Sequence, residues 1–442
     1  MYSNMMLYID PGTGGMLFTV LFGLFSVAIF SVRALIMKIK YSTSGSKNAK
    51  NGTKLPIVIF NEHKRYWNIF EPILNELDKK DQAIVYMTCS EDDPAFKRKF
   101  KNITCQFIGE GNKAFSKLNL LNAYVVFATT PSLDVFQWKR SKDVDCYIHI
   151  MHAAKDLTMY RMYGTDHYDA FILGGDYQEV QARQLEEMRG IKPRDIAICG
   201  VPYLDEMKKR VESSEAVPAH ERTVLLAPSW GESGILSRFG EKLIDALIST
   251  GYKIIVRPHP QSFASEKAML DKLMSKYNDT SKVTWNTDID NFDVLRLSDI
   301  LISDYSGVMF EFAMVFDKPI IYTDTKFDIR PYDADWIDET PWTFRILSDL
   351  GMELNDDNVG NIKELIDNCI ENPSFTEGRE KARQDTWAHI GESAARSADF
   401  IIKKYKDSLE LEEKKKAKQK AGTNSKLKRS ASNKLSLAKE KA

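Results

Sequence analysis

Short runs of β-branched and apolar residues punctuate the chain, and between them apolar positions return every three to four residues. LPIVIF (from Leu55), AIVYMT, ITCQFIG, AYVVFATT, CYIHIM and AFILGG read as buried strands. YWNIFEPILNELDKK and YQEVQARQLEEMRG carry helical spacing, and DIAICG closes this first series as a further strand. A charged, proline-punctuated stretch then interrupts the alternation over residues 207–222. The alternation restarts with TVLLAPS, a helix at 242–249, YKIIVRPHP, a helix at 265–277, KVTW, DILISD, a helix at 308–316 and KPIIYTD. Strand, helix, strand in succession predicts mostly parallel sheets covered by helices on both faces. The expected fold is α/β, with two Rossmann-like lobes at 55–206 and 223–390 joined by a linker at 207–222. A last helical pattern at 391–405 is expected to cross back and brace the first lobe.

Length and composition fit this division, since 442 residues exceed one ordinary core and a 43% hydrophobic share suits a globular interior. The net charge of −1 conceals a strong segregation. From Lys414 onward there are eleven Lys or Arg and one acid, Glu440, so the body ahead of them is acidic. Residues 406–442 lack aromatics and a sustained apolar face, which predicts a disordered basic tail. Its expected role is solvation or attraction to anionic headgroups, and nucleic acid is not an expected partner because no aromatic residue interleaves the lysines.

Residues 16–32 (MLFTVLFGLFSVAIFSV) are apolar and uncharged, and they predict an N-terminal transmembrane helix within a membrane anchor at 1–40. An in-plane or buried hairpin segment is the rival reading. A cleaved signal peptide is disfavoured, because Asp10 and no Lys or Arg precede the run. Basic residues concentrate after it, through a polar linker at 41–54, so the catalytic body is expected on the cytoplasmic face of the cell membrane. The five cysteines are widely spaced and fit no metal pattern, and they read as buried thiols of a reducing compartment.

Three places carry the residue types that phosphate chemistry uses. Arg257, Pro258, His259 and Pro260 follow directly on the strand KIIV. The prolines stop the strand and hold the imidazole at the sheet's carboxyl edge, and Arg257 offers a planar fork to phosphate oxygens. Ser303, Asp304, Tyr305, Ser306 and Gly307 lie between a strand and a helix. There the first-turn amides and the Ser306 hydroxyl form a phosphate cradle, and Gly307 admits close approach. His152, at the end of CYIHIM, is the candidate general base. Strand alternation places His149, three steps earlier, on the opposite face as a core or surface residue.

Ser229 and Trp230, in the glycine-punctuated loop APSWGESG, are candidates for a donor contact, and His63 beside Lys64 and Arg65 faces either acceptor or solvent. Each of these features also has a bland reading as a helix cap or a satisfied turn histidine. The chain has no GxxxxGK[ST] loop and no GxSxG elbow, which removes support for ATP hydrolysis and α/β-hydrolase chemistry. No carboxylate cluster demands a metal, and no cofactor is expected.

APSW, then RPHP, then SDYSGVMFEFAMVFDKPIIY resembles the CDP-glycerol:poly(glycerophosphate) glycerophosphotransferase family of bacterial teichoic acid synthesis. The likeness is strongest over residues 222–324, includes GVPYLD at 200–205, and fades toward residue 401. It implies a GT-B-like fold and transfer of glycerol phosphate from CDP-glycerol to a lipid-linked acceptor, with release of CMP. By the same resemblance His259 and Arg257 bind the transferring phosphate, Ser306 and Asp304 line the donor site, and His152 matches the family's first-lobe histidine. Where the family has His-Gly-Thr this chain reads His152, Ala153, Ala154, and Gly307 stands where the family has a second serine. The alternatives are a GT-B glycosyltransferase or epimerase using a UDP- or GDP-sugar, and a non-catalytic membrane scaffold of the same fold.

Overall fold

A computed structural model describes residues 54–278, 282–288, 290–323 and 327–439, with the isolated Phe22, Phe25 and Val32; side chains are described through Lys418. In the first lobe β1 (Leu55–Asn61), β2 (Ile84–Thr88), β3 (Ile103–Phe107), β4 (Ala123–Ala128), β5 (Val144–Ile150), β6 (Ala170–Leu173) and β7 (Asp195–Ile198) form one sheet in the order β3-β2-β1-β4-β5-β6-β7. In the second, β8 (Thr223–Leu226), β9 (Lys253–Val256), β10 (Val283–Trp285), β11 (Ile300–Ser303), β12 (Ile320–Thr323) and β13 (Gly351–Leu354) follow the order β10-β9-β8-β11-β12-β13. All these pairings are parallel.

The strands are apolar on both faces because both faces are covered: Ile57, Val58, Ile59 and Phe60 are all fully buried. The helix Trp67–Asp78, for example, buries Ile69, Phe70, Ile73, Leu74 and Leu77. Each sheet winds outward from its first strand and then returns to that strand's other side. The switch points are β1/β4 and β8/β11, where loops leave in opposite directions and open a crevice at the carboxyl ends of the strands.

The chain leaves the second lobe through the helix Ser374–Thr386 and crosses onto the first. The crossing is tight, since a Cβ at Gly175 would lie 1.8 Å from the Asp385 carbonyl oxygen and one at Gly200 2.0 Å from that of Ala388. Buried Asp205 then receives the Trp387 indole N–H at 2.8 Å and the main-chain N–H groups of Gly391 and Ser393 at 2.9 Å. This carboxylate therefore sits at the positive end of the last helix, Ser393–Lys439. That helix packs on Trp67–Asp78 and β4, and pairs Lys80 with Asp399 at 2.6 Å.

Several expectations change. Residues 207–213, expected in a linker, continue the helix Pro202–Ser213, with their charges toward solvent. The tail expected to be disordered from residue 406 is helical through Lys439. Its lysines, glutamates, alanines and leucines are good helix formers, and Glu410–Lys414 and Glu412–Lys416 pairs reinforce it at i,i+4. The packed first half has already met the cost of nucleation, so each further residue need only propagate. Among the described residues no helix is long and apolar enough to cross a membrane. The predicted span at 16–32 lies outside the described residues apart from Phe22, Phe25 and Val32, which are helical and exposed. The five cysteines are free, four buried and Cys105 half-buried.

Candidate functional site

The second lobe's half of the cleft is built from the loops after β8, β9 and β11. Asp304 organises it, though not as a ligand. The family resemblance implies that this residue lines the donor site; its side chain is fully buried and its carboxylate accepts the main-chain N–H groups of Ser229 (2.9 and 3.1 Å), Ile235 (2.9 Å) and Tyr305 (2.7 Å). An anion saturated by amides has nothing to give a phosphate and would repel it. Asp304 ties the two loops of the β8/β11 switch point together. Ser229 is buried within this knot, whereas Trp230 is half exposed, with its carbonyl accepting from the Tyr305 hydroxyl at 2.8 Å. Ser306 is half-buried, its hydroxyl free of hydrogen bonds among the described residues, and Gly307 precedes the helix Val308–Val315.

Arg257 and His259 leave the end of β9. The Arg257 guanidinium donates to Asn286 Oδ1 and, at 2.8 Å, to the Asp288 carbonyl, so its fork is held by the loop after β10. Burial lowers its pKa, and the half-buried Glu311 nearby is pushed up by desolvation. His259 is half-buried, and its Nδ1 accepts the Gln261 main-chain N–H at 3.1 Å. The neutral ring therefore carries its hydrogen on Nε2, the atom left for a ligand. Burial, then the charge of Arg65, lowers its pKa below the usual histidine value.

The first lobe answers with the loops after β1 and β5. His63 Nδ1 accepts the Arg65 main-chain N–H at 3.1 Å and so caps the short turn Lys64–Tyr66, which presents Arg65. The exposed Arg65 guanidinium lies 4.9 Å from the centre of the Tyr66 ring and makes no ion pair among the described residues. Near the end of β5 His149 is fully buried, and past the strand His152 is half-buried. They are not separated by strand alternation as predicted. β5 ends at Ile150, and beyond it the loop brings His152 Nδ1 to the Tyr160 hydroxyl at 3.0 Å, the same oxygen that His149 Nε2 meets at 3.2 Å. Burial pushes the His149 pKa down to about 3. Burial, then Lys155, His149 and Arg65, holds His152 well below its usual value. Lys155 is itself lowered by burial.

The two half-sites face each other. Arg65 acts on His152 of its own lobe and on His259 of the other, and a Cβ at Gly307 would come to 3.7 Å of the Ala153 Cβ. The approach is fixed beside the cleft. Asp156 accepts the N–H groups of Trp342 (2.7 Å) and Thr343 (2.8 Å), and the Met162 N–H donates to the Pro331 carbonyl at 3.1 Å. Arg189 pairs with Asp166 of its own lobe and Asp333 of the other at 2.6 and 2.5 Å. Arg65, Lys155 and Tyr160 were not selected from the sequence as site residues; the first stands beside His63 in a basic triplet, and the other two carry no local signature. A concavity of about 880 Å³ lies elsewhere, at the amino ends of β5 to β7, and its Lys54, Arg140 and Lys404 are spent on Asp145, Asp169 and Asp195. Among the described residues no group of His, Cys, Asp and Glu could hold a metal ion.

Residues 149–339 match the model of the CDP-glycerol:poly(glycerophosphate) glycerophosphotransferase family. The match starts in β5, further into the first lobe than the sequence motifs indicate, and takes in every loop described above except that of Arg65. A teichoic acid glycerol-phosphate primase of Bacillus spizizenii is 30% identical over 175 residues, 38% of this chain and 42% of that protein. The teichoic acid ribitol-phosphate polymerase TarL of Staphylococcus aureus is 25% identical over 166 residues, 33% of this chain and 27% of that one. The matched segments thus span less than half the length of these curated relatives. Among solved structures, the UDP-GlcNAc 2-epimerase of Methanocaldococcus jannaschii superposes with a TM-score of 0.52 at 14% identity, covering 78% of this chain and 99% of its own. The UDP-N-acetylglucosamine 2-epimerase of Rickettsia bellii gives 0.52 at 12% identity, covering 81% and 98%. At such identities the likeness is one of fold, two parallel-sheet lobes of the GT-B kind.

Proposed function

Because the chain belongs to the CDP-glycerol:poly(glycerophosphate) glycerophosphotransferase family through residues 149–339, we propose that it transfers glycerol phosphate, or another polyol phosphate, from a CDP-activated donor to a hydroxyl of a lipid-linked cell-envelope acceptor. One observation carries the reading: Arg65, Lys155, His152 and His259 come together from both lobes as cations or N–H donors and make no salt bridge among the described residues, although Asp156 acts on Lys155, and Asp304 and Glu266 on His259. Such a set suits a diphosphate, whose charge needs donors fixed before the reaction. The acceptor oxygen bonds to the phosphorus that bears glycerol, the bridging P–O bond to CMP breaks, CMP leaves as a dianion, and the hydroxyl proton passes to solvent. In this scheme the Ser306 hydroxyl and the main-chain amides of Gly307 and Val308 hold the leaving phosphate, Ser229 and Trp230 flank the nucleotide, and Arg257 reaches the phosphate once released from Asn286. Attachment to the membrane through the apolar run at 16–32 and the basic C-terminal helix would bring the cleft to a lipid-borne acceptor.

The test is CMP release from CDP-glycerol by purified protein with membranes bearing the acceptor, alongside thermal unfolding with CDP-glycerol or UDP-sugars. CDP-glycerol at about a hundred times its Kd should stabilise the protein by about 2.7 kcal/mol. Stabilisation by UDP-sugars alone, or undiminished CMP release by His259→Ala, would reject the proposal.

A further inference from the structure

Two imidazoles share the hydroxyl of Tyr160, and we infer that the chain from His149 through Tyr160 fixes the tautomer of His152, so that this residue offers the cleft an N–H donor and not a lone pair. A phenol has one proton to give, and two ring nitrogens stand within reach, His149 Nε2 at 3.2 Å and His152 Nδ1 at 3.0 Å. One imidazole must donate to the oxygen while the other accepts from it.

His149 decides which. Its ring is fully buried against Tyr160, Tyr168 and Phe171, with centroids at 5.3, 4.8 and 6.4 Å, and its Nδ1 has no hydrogen-bond partner among the described residues. A proton on Nδ1 would orphan a buried N–H, a rarer defect than an orphaned acceptor. The proton therefore sits on Nε2 and is donated to the Tyr160 oxygen. Tyr160 is buried and its hydroxyl has no hydrogen-bond partner other than the two imidazoles among the described residues, so with His149 donating to the oxygen the hydroxyl's own hydrogen points to His152 Nδ1. With Nδ1 accepting, neutral His152 carries its hydrogen on Nε2, the one polar ring atom left for a ligand.

His259 has the same polarity, because its Nδ1 accepts from Gln261. Resting on the function proposed above, both histidines then act as phosphate-oxygen donors and neither as a base. This fits a loose phosphoryl transition state, in which charge gathers on the equatorial oxygens and deprotonation of the nucleophile adds little. Tyr160 and His149 are positioning residues for His152.

The experiment is ¹⁵N NMR of histidine-labelled full-length protein at neutral pH, with the His152 signals identified by their loss in His152→Gln. Nε2 should be protonated and Nδ1 bare in the wild type, and Tyr160→Phe should give mixed tautomers. In CMP release, His152→Gln, which keeps an N–H donor, should stay within about tenfold of wild type, whereas His152→Ala falls about a hundredfold. A wild-type His152 protonated on Nδ1, a tautomer indifferent to Tyr160→Phe, or equal losses in Gln and Ala variants would overturn the inference. A confirmed tautomer with no turnover of CDP-glycerol by the wild type would instead reject the substrate and leave the proton chain standing.

Discussion

Replacing Asp304 by alanine separates a knot that shapes the cleft from a group that touches the ligand. In the folded chain one fully buried carboxylate accepts from three main-chain N–H groups, those of Ser229, Ile235 and Tyr305, at 2.7 to 3.1 Å. Alanine leaves all three without an acceptor, and each orphaned buried donor costs about 1–3 kcal/mol. Water entering from the cleft recovers part, so the expected loss is about 3–5 kcal/mol, roughly a 10 °C fall in the unfolding temperature of the second lobe. Asparagine keeps one acceptor oxygen but turns its NH₂ toward an amide, and should lose about half as much. Urea unfolding followed by tryptophan fluorescence reads the stability, and CMP release at permissive temperature reads the site. An Asp304→Ala protein that unfolds at the wild-type midpoint yet has lost CMP release would show the carboxylate acting on the ligand and would refute its role as a loop-joining knot.

Arg65→Ala should reduce kcat/KM for the CDP-activated donor by about 10- to 100-fold, the worth of one charge-assisted hydrogen bond, and should raise the His259 pKa by removing a neighbouring cation. Unchanged kinetics together with an unmoved histidine titration would place Arg65 outside the cleft. Acid should destabilise the first lobe through His149, whose folded pKa of about 3 lies below its unfolded value near 6.5. The unfolded chain then binds the extra proton, so stability is full above pH 6.5 and falls as pH drops toward 3, by about 2 kcal/mol between pH 7 and pH 5 from this residue alone. His149→Phe should flatten that slope in urea unfolding at the two pH values, and a slope identical to wild type would contradict the assigned burial.

What the sequence made legible follows from how local each cause is. KIIV and DILI are read as strands because both of their faces are buried, and the structure has β9 at Lys253–Val256 and β11 at Ile300–Ser303. The helix expected at 242–249 instead spans Ile235–Ser249, because Gly240, at φ +46°, interrupts its regular spacing and hides the first turn. The basic tail's lack of apolar surface predicts disorder, although an existing helix needs only propensity to continue. Asp304 shows a different limit: a carboxylate that caps amides and one that lines a ligand site use the same residue in the same turn. Only the Ser229 and Ile235 N–H groups, brought from the distant loop after β8, tell them apart.

The cleft's chemistry was least legible, because it depends on contacts that no spacing encodes. His152 was recognisable as a strand-end histidine, and on that ground alone a general base was the natural expectation. Its ring polarity is set by Tyr160, beyond an irregular loop, and the polarity of Tyr160 is set by the isolation of His149 among aromatic rings. The nature of the group offered to substrate is thus decided two residues away from the substrate, inside the apolar core. Arg65 extends the same logic across the lobes. It is held by a turn that His63 caps and makes no ion pair among the described residues, yet it depresses one histidine in each lobe. On the proposed function, two imidazoles of lowered pKa and a guanidinium with no ion pair among the described residues suit an anionic diphosphate, whose charge they would meet with N–H donors.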